Sequence, residues 1–175
     1  ESIDVLLDKT EIHNLRCYGY GVMSFVLSLI ETAIRATGGR IKAEDIQTLL
    51  AMGKEMLTAG VTLRDGTQEM LAELSDSYPL MLITKGDLFH HQRKVEESGL
   101  EEYFRVVEVV SDKMPQTYEG ILARYRIKPE EFLMIGNSLR SDIKPILELG
   151  GWAIHIPNHL NWAHEEAEIP PSLQS

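Results

Sequence analysis

The sequence predicts an α/β fold in which helices cover both faces of a parallel sheet. From residue 61 onward, short apolar runs alternate with amphipathic stretches of 10–15 residues, a pattern typical of parallel strands joined by helical crossovers. Residues 1–58 show helical periodicity alone. The two patterns together predict an N-terminal helical domain, 1–58, followed by an α/β core, 59–158.

Apolar residues in the first third of the chain recur at steps of three and four. Seven apolar residues between positions 22 and 34 share one helical face, and Gly38-Gly39 ends that helix. They are Val22, Phe25, Val26, Leu29, Ile30, Ala33 and Ile34. Residues 46–57 repeat the pattern. The stretch before Cys17 is also predicted to be helical, and Tyr18-Gly-Tyr-Gly separates it from the next helix. We therefore expect a small bundle of three helices.

The core contains four apolar runs of strand length, and Trp152 at the start of the last run is predicted to be buried. Helices are predicted between them near residues 87–98, 118–125 and 143–147. The predicted strands are Leu80–Ile83, Val106–Val110, Phe132–Ile135 and Trp152–Ile156. In such sheets, ligands bind outside the carboxyl ends of the strands.

Composition restricts the class of partner. The net charge of −10 argues against a nucleic-acid or anionic-membrane surface, although a small anionic substrate needs only a local cluster of cations and N–H groups. The single cysteine, Cys17, cannot form an internal disulfide, which fits a reducing compartment and predicts a cytoplasmic protein. No apolar run is long enough to span a membrane. Residues 159–175 are predicted to be a polar tail.

Polar side chains follow three of the predicted strands. Thr84-Lys85-Gly86 follows the first, Lys113 follows the second, and Asn137 and Asp142 follow the third. Thr84 could simply cap the next helix, yet a capping loop also offers N–H groups to an anion. Asn137 could belong to a turn, and Asp142 could be a first-turn acid. The agreement of three strand ends favours a phosphate and metal site.

This combination resembles the haloacid dehalogenase superfamily, whose members are mainly Mg²⁺-dependent phosphohydrolases. The resemblance covers residues 61–157. LITKGD matches the second motif, in which Thr84 would form a hydrogen bond with a phosphoryl oxygen, and Lys113 matches the third. GNSLRSD matches the fourth, the loop that helps hold Mg²⁺. The resemblance implies a Rossmann-like three-layer sandwich with a parallel sheet, and makes residues 1–58 its helical cap.

The sequence departs from the family pattern at two places. The family's nucleophile is the first Asp of an Asp-x-Asp motif after a central strand, and no residue here matches it. The resemblance therefore implies that this strand lies upstream of Glu1, since without it two neighbouring strands would have unpaired backbone groups. Asn137 stands where the metal loop usually has its first acid. An amide carbonyl can ligate Mg²⁺ but brings no charge.

The resemblance implies a phosphatase that acts on a small phosphorylated metabolite through an aspartyl-phosphate. Thr84 and Lys113 would be catalytic, Lys85 and Gly86 would offer backbone N–H groups to the phosphate, and Asn137 and Asp142 would hold Mg²⁺. Tyr18 and Tyr20 are candidate substrate contacts from the cap. His90 and His91, being adjacent on a helix, point about 100° apart and do not form a metal pair.

Two alternatives remain open. Asn137 also fits a metal-independent 2-haloacid dehalogenase, and a chain without the nucleophile could be a non-catalytic binding module. A small phosphorylated substrate is the expected partner, nucleic acid and membranes are not expected, and the cap helices could form a homodimer.

Overall fold

A computed structural model describes residues 2–158, apart from the side chains of residues 88–90. In this range the chain forms seven α-helices and four strands. In chain order they are α1 (Ile3–Tyr18), α2 (Val22–Ala36), α3 (Ala43–Thr58), α4 (Thr67–Ser77), β1 (Leu80–Lys85), α5 (Leu88–Ser98), β2 (Phe104–Val110), α6 (Pro115–Tyr125), β3 (Leu133–Gly136), α7 (Lys144–Glu148) and β4 (Trp152–His155). They belong to two compact units, Glu1–Ser111 and Asp112–Ser175. The polar tail predicted for residues 159–175 lies outside the described residues.

The helices predicted between residues 1 and 58 are present as α1, α2 and α3. The break at Tyr18-Gly-Tyr-Gly coincides with positive φ angles at Gly19 (68°) and Gly21 (131°). Residues with a Cβ rarely adopt such angles, so these glycines permit the sharp change of direction between α1 and α2. None of the helices in residues 2–158 has both the length and the apolar character needed to cross a bilayer.

The contact between α1 and α2 is made by small polar side chains. The buried positions are Thr10 and Asn14 on α1, and Ser24, Ser28 and Thr32 on α2. Asn14 Nδ2 donates to Ser28 Oγ at 3.1 Å, which satisfies part of this buried polar surface. Of the apolar face predicted for α2, only Val26 is fully buried, at 4% exposure. Polar packing here was not predicted from the apolar periodicity.

Val26 instead contacts α3 at Gly53. A Cβ at residue 53 would lie 2.5 Å from Val26 Cγ2, which is inside van der Waals contact. The two helices therefore approach this closely because Gly53 has no side chain.

In the first unit, β1 and β2 form a parallel pair with Met81 opposite Val106 and Lys85 opposite Val110. The intervening α5 supplies the crossover that parallel strands require. The end of β1 is thereby fixed beside the end of β2.

In the second unit, β3 and β4 form a second parallel pair, with Gly136 opposite His155. A π-helical turn, Leu139–Ile143, joins β3 to α7. Apolar side chains from β3, α6, the π-helical turn and α7 make the core of this unit: Tyr118, Ile121, Leu122, Met134, Ile143 and Ile146.

The expectation that Trp152 is buried was wrong, because its side chain is 65% exposed. It lies opposite Leu133, which is 49% exposed, whereas the next residue, Met134, is buried. Alternate residues of a strand point to opposite faces, so one face of the β3–β4 pair is packed and Trp152 is on the other. Its indole N–H donates to the Glu130 carbonyl at 3.1 Å.

The four predicted strands are present and parallel, which confirms the predicted α/β class. Within residues 2–158 they form two separate pairs, β1–β2 and β3–β4, instead of one sheet. The central strand that the family resemblance requires is not among these residues. The domain boundaries predicted at residues 58 and 158 stay predictions.

Candidate active site

The loop that follows β1 begins the candidate site. Thr84 and Lys85 are the last residues of β1, and Gly86 turns the chain with φ 143°. The Gly86 N–H donates to the Val110 carbonyl at 3.2 Å, which extends the β1–β2 pairing by one bond. A phosphate contact by this N–H, as predicted, would have to replace that bond.

The segment between α1 and α2 contacts this loop. Lys85 Nζ lies 3.7 Å from the centre of the Tyr20 ring, which is a cation–π geometry. A Cβ at Gly21 would lie 3.6 Å from the backbone nitrogen of Asp87, so the two backbones are close. Tyr18, at the end of α1, is 53% exposed. A substrate role for either tyrosine stays a prediction, and the structure gives Tyr20 a definite neighbour in Lys85.

His91 contacts the predicted phosphate loop, which the sequence reasoning missed. Its Nδ1 lies 3.1 Å from Thr84 Oγ1, at hydrogen-bond distance. The signal available in the sequence was the spacing of seven residues, enough for a strand end, a short turn and one helical turn. Sequence reasoning weighs only a metal role for His91, and rejects it.

Lys113 and Asp142 form a buried ion pair in the second unit. Lys113 Nζ lies 2.6 Å from Asp142 Oδ1, and the two side chains are 11% and 6% exposed. The Ser138 N–H donates to Asp142 Oδ2 at 3.0 Å. A Cβ at Gly136 would lie 2.5 Å from that oxygen, so the carboxylate can lie here only against a glycine. The carboxylate is thus held by a cation, an N–H group and close packing.

Hydrogen bonds to buried residues fix the loop that carries Asp142. Ser138 Oγ accepts from the Ser141 N–H at 2.9 Å, and thereby caps the π-helical turn. The fully buried Tyr118 donates its hydroxyl proton to the Ser141 carbonyl at 2.9 Å. These bonds tie the loop to α6, so the position of the Asp142 carboxylate is determined by the packed interior.

Asn137 lies at the surface of the same loop. Its backbone carbonyl is 3.0 Å from His155 Nε2, and because a carbonyl only accepts, the imidazole donates. Among the side chains that the structure describes, no group of three His, Cys, Asp or Glu could hold a metal ion. Both Asp142 oxygens are already hydrogen-bonded. Mg²⁺ prefers six oxygen ligands, so Asn137 and Asp142 do not make a magnesium site by themselves.

The structure thus brings together Lys113 with Asp142, and Thr84 with His91. The first pair belongs to the second unit and the other pair to the first unit. Convergence of all the predicted residues on one site stays a prediction. Each pair nonetheless presents polar groups at the carboxyl end of a parallel strand, where α/β proteins bind ligands.

Comparison with known proteins identifies the class. A family model of haloacid dehalogenase-like hydrolases matches residues 10–150. A haloacid dehalogenase-like family hydrolase from Xanthomonas campestris is 44% identical, with a TM-score of 0.86, and the match covers 94% of this chain and 70% of that one. The chain belongs to the haloacid dehalogenase-like hydrolases. No curated protein sequence matches it.

More distant solved structures share the fold. An L-2-haloacid dehalogenase from Xanthobacter autotrophicus is 18% identical, with a TM-score of 0.62, over 88% of this chain and 64% of that one. The HAD-hydrolase YfnB from Bacillus subtilis, bound to magnesium, is 21% identical, with a TM-score of 0.63, over 86% and 70%. The similar structures include a predicted phosphoglycolate phosphatase as well as 2-haloacid dehalogenases, and at 16–19% identity they share the fold with this chain without fixing its substrate.

Proposed function

We propose that this hydrolase is a phosphatase that acts on a small phosphorylated metabolite. The observation that carries the proposal is the buried Lys113–Asp142 pair, which holds an ammonium group directly after β2. An ammonium has three N–H donors. One goes to Asp142, and no other residue in the described part of the chain accepts from the remaining two. Those donors suit two oxygens of a phosphoryl group.

In the proposed reaction, an aspartate carboxylate attacks phosphorus, and the bond from phosphorus to the ester oxygen breaks. A general acid gives a proton to the departing oxygen, and water then hydrolyses the aspartyl-phosphate. Residues 2–158 contain no match to the family's Asp-x-Asp motif, so the proposal places this aspartate outside these residues. Thr84 and Lys113 would stabilise the charge on the phosphoryl oxygens, the effect that dominates phosphoryl transfer.

Magnesium is part of the proposal as a requirement of the complete protein. Asp142 and Asn137 would supply part of its surroundings, with the remaining ligands from residues outside the described range, from substrate and from water. Activity on a phosphomonoester should then disappear in excess chelator and return with Mg²⁺. A cytoplasmic location and a homodimer through the cap helices also stay predictions.

The test is turnover of a generic phosphomonoester, such as p-nitrophenyl phosphate, by the complete protein. The comparison uses Lys113→Ala protein that circular dichroism shows to be folded, since loss of the buried pair also destabilises the fold. In folded protein we expect kcat/KM to fall by about 10²-fold or more, as the loss of one such electrostatic group typically does. Lys144→Ala is the matched control, because Lys144 is 48% exposed and its contact with Glu148 is long, at 4.0 Å. A loss below about tenfold for Lys113→Ala, or an equal loss for both variants, would count against the assigned role.

A metal-independent 2-haloacid dehalogenase is the second candidate. Asn137 favours it, because an amide supplies no charge to a metal. The measurement is halide release from a 2-haloacid in excess chelator, run beside the phosphatase assay on the same preparation. Halide release without phosphate release would replace the phosphatase proposal. Tight phosphate binding with neither turnover would indicate a binding module.

A further inference from the structure

We propose that His91 is a positioning residue that orients the Thr84 hydroxyl toward a phosphoryl oxygen of the substrate. This inference rests on the proposed function, because it assigns Thr84 an anionic ligand. It adds a residue from α5 to a site otherwise built from the ends of strands. It also specifies which nitrogen of the imidazole carries a proton.

The geometry begins with a single contact. His91 Nδ1 and Thr84 Oγ1 are 3.1 Å apart, and both residues are partly buried. The backbone N–H of His91 donates to the Asp87 carbonyl at 3.0 Å, so the residue lies within the first turn of α5. The ring is therefore attached to a helix that begins directly after the loop it contacts.

The backbone of Gly86 holds the other side of the ring. A Cβ at residue 86 would lie 2.5 Å from His91 Nε2 and 2.9 Å from Cδ2. The imidazole therefore occupies the space that any side chain at residue 86 would need. It is held between the Thr84 hydroxyl and the Gly86 backbone, which restricts its rotation.

Proton counting decides what this contact does. A threonine hydroxyl has one proton to donate and lone pairs to accept with. If Nδ1 were unprotonated, the hydroxyl would donate to His91 and turn a lone pair toward an incoming anion. If Nδ1 carries a proton, it donates to Oγ1 and leaves the hydroxyl proton for the substrate. The proposed role of Thr84 therefore requires an Nδ1–H group on His91.

Two amide variants test the position of the donor with matched chemistry. In His91→Asn the amide nitrogen can occupy the place of Nδ1, whereas in His91→Gln it reaches toward the place of Nε2. His91→Phe keeps a flat ring against Gly86 but has no donor. We expect kcat/KM for a phosphomonoester to fall by about ten- to a hundredfold in His91→Phe and His91→Gln, the usual effect of one hydrogen bond to a charged group. We expect His91→Asn to retain most activity.

A double-mutant cycle separates positioning from general structural damage. Thr84→Val removes the hydroxyl and keeps the side-chain shape. If His91 acts through that hydroxyl, His91→Phe should have no further effect in the Thr84→Val protein. His13→Phe, at an exposed position on α1, is the control for the loss of a histidine. Thermal unfolding shows which variants are folded. If His91→Phe is not folded, the comparison of His91→Asn with His91→Gln tests the role of His91 instead.

The outcomes distinguish this inference from the proposed function. Two results would overturn the role of His91 and leave the proposed function standing. One is normal turnover in the wild type with no loss in His91→Phe. The other is that His91→Phe causes the same loss whether or not the Thr84 hydroxyl is present. No turnover and no binding of inorganic phosphate by the wild type overturns the proposed function and this inference with it. If the wild type binds phosphate without turnover, the same pattern is expected in the phosphate dissociation constants, measured by calorimetry. Equal phosphate dissociation constants for all variants would then overturn the role of His91.

Discussion

Replacing Lys113 by methionine should strongly destabilise the fold. Methionine keeps most of the side-chain length, but it leaves the Asp142 carboxylate, at 6% exposure, without its cation. At the observed 2.6 Å and an effective dielectric constant of about 20, Coulomb's law gives an attraction of about 6 kcal/mol. Desolvation offsets part of this, and removal of one partner from a buried pair typically costs about 3–5 kcal/mol. We expect the free energy of unfolding to fall by about 3–5 kcal/mol.

The assay is urea unfolding followed by circular dichroism, arranged as a double-mutant cycle. Asp142→Asn keeps an acceptor for the Ser138 N–H but removes the negative charge. The double variant should be less destabilised than the sum of the single variants by about 2 kcal/mol or more, because it leaves no unpaired charge. Lys144→Met breaks the exposed contact with Glu148 and should change stability by less than about 1 kcal/mol. Additive single effects, or a Lys113 variant as stable as the control, would refute the reasoning.

Three further changes test other parts of the fold. Gly53→Ala should destabilise the protein by about 1–3 kcal/mol, because the new Cβ overlaps Val26 Cγ2. Adding Val26→Ala should relieve part of this overlap, and an unchanged urea midpoint in Gly53→Ala would contradict the prediction. Tyr118→Phe removes the buried donor to the Ser141 carbonyl and should lower the free energy of unfolding by about 1–3 kcal/mol, measured in the same way. Burial raises the pKa of Glu11 above its ordinary value, so the folded state holds that proton more tightly than the unfolded state. Its destabilising effect is absent in acid and develops as pH rises through the folded-state pKa. Glu11→Gln should therefore raise Tm at neutral pH and lose that gain in acid; the same Tm difference at both pH values would exclude burial as the cause.

The elements of the fold could be predicted because their signals are local. Periods of 3.6 and 2 residues, interrupted by glycine and proline, indicate helices and strands without knowledge of their partners. All four strands were predicted within a few residues of their observed bounds, and the helix predicted at 87–98 is observed as Leu88–Ser98. The parallel pairing followed from the alternation of strands with helices.

Packing partners could not be predicted in the same way. The apolar residues of α2 predict an amphipathic helix, but they do not say that Ser24, Ser28 and Thr32 on another face are buried instead. Trp152 has the composition of a core residue, yet which face of a strand is covered depends on elements elsewhere in the chain. Burial is therefore a property of the assembled unit, and apolar composition alone overestimates it here.

Distance along the chain did not determine which site contacts could be predicted. Lys113 and Asp142 are 29 residues apart, yet their proximity was expected, because both follow parallel strands and topology brings strand ends to one edge. Thr84 and His91 are only seven residues apart, yet their contact was missed. It depends on how α5 leaves the loop and on the space left by Gly86, which are details of backbone direction. A contact determined by topology can thus be predicted at long range, whereas one determined by a single turn and a side-chain rotamer needs the three-dimensional structure even at short range.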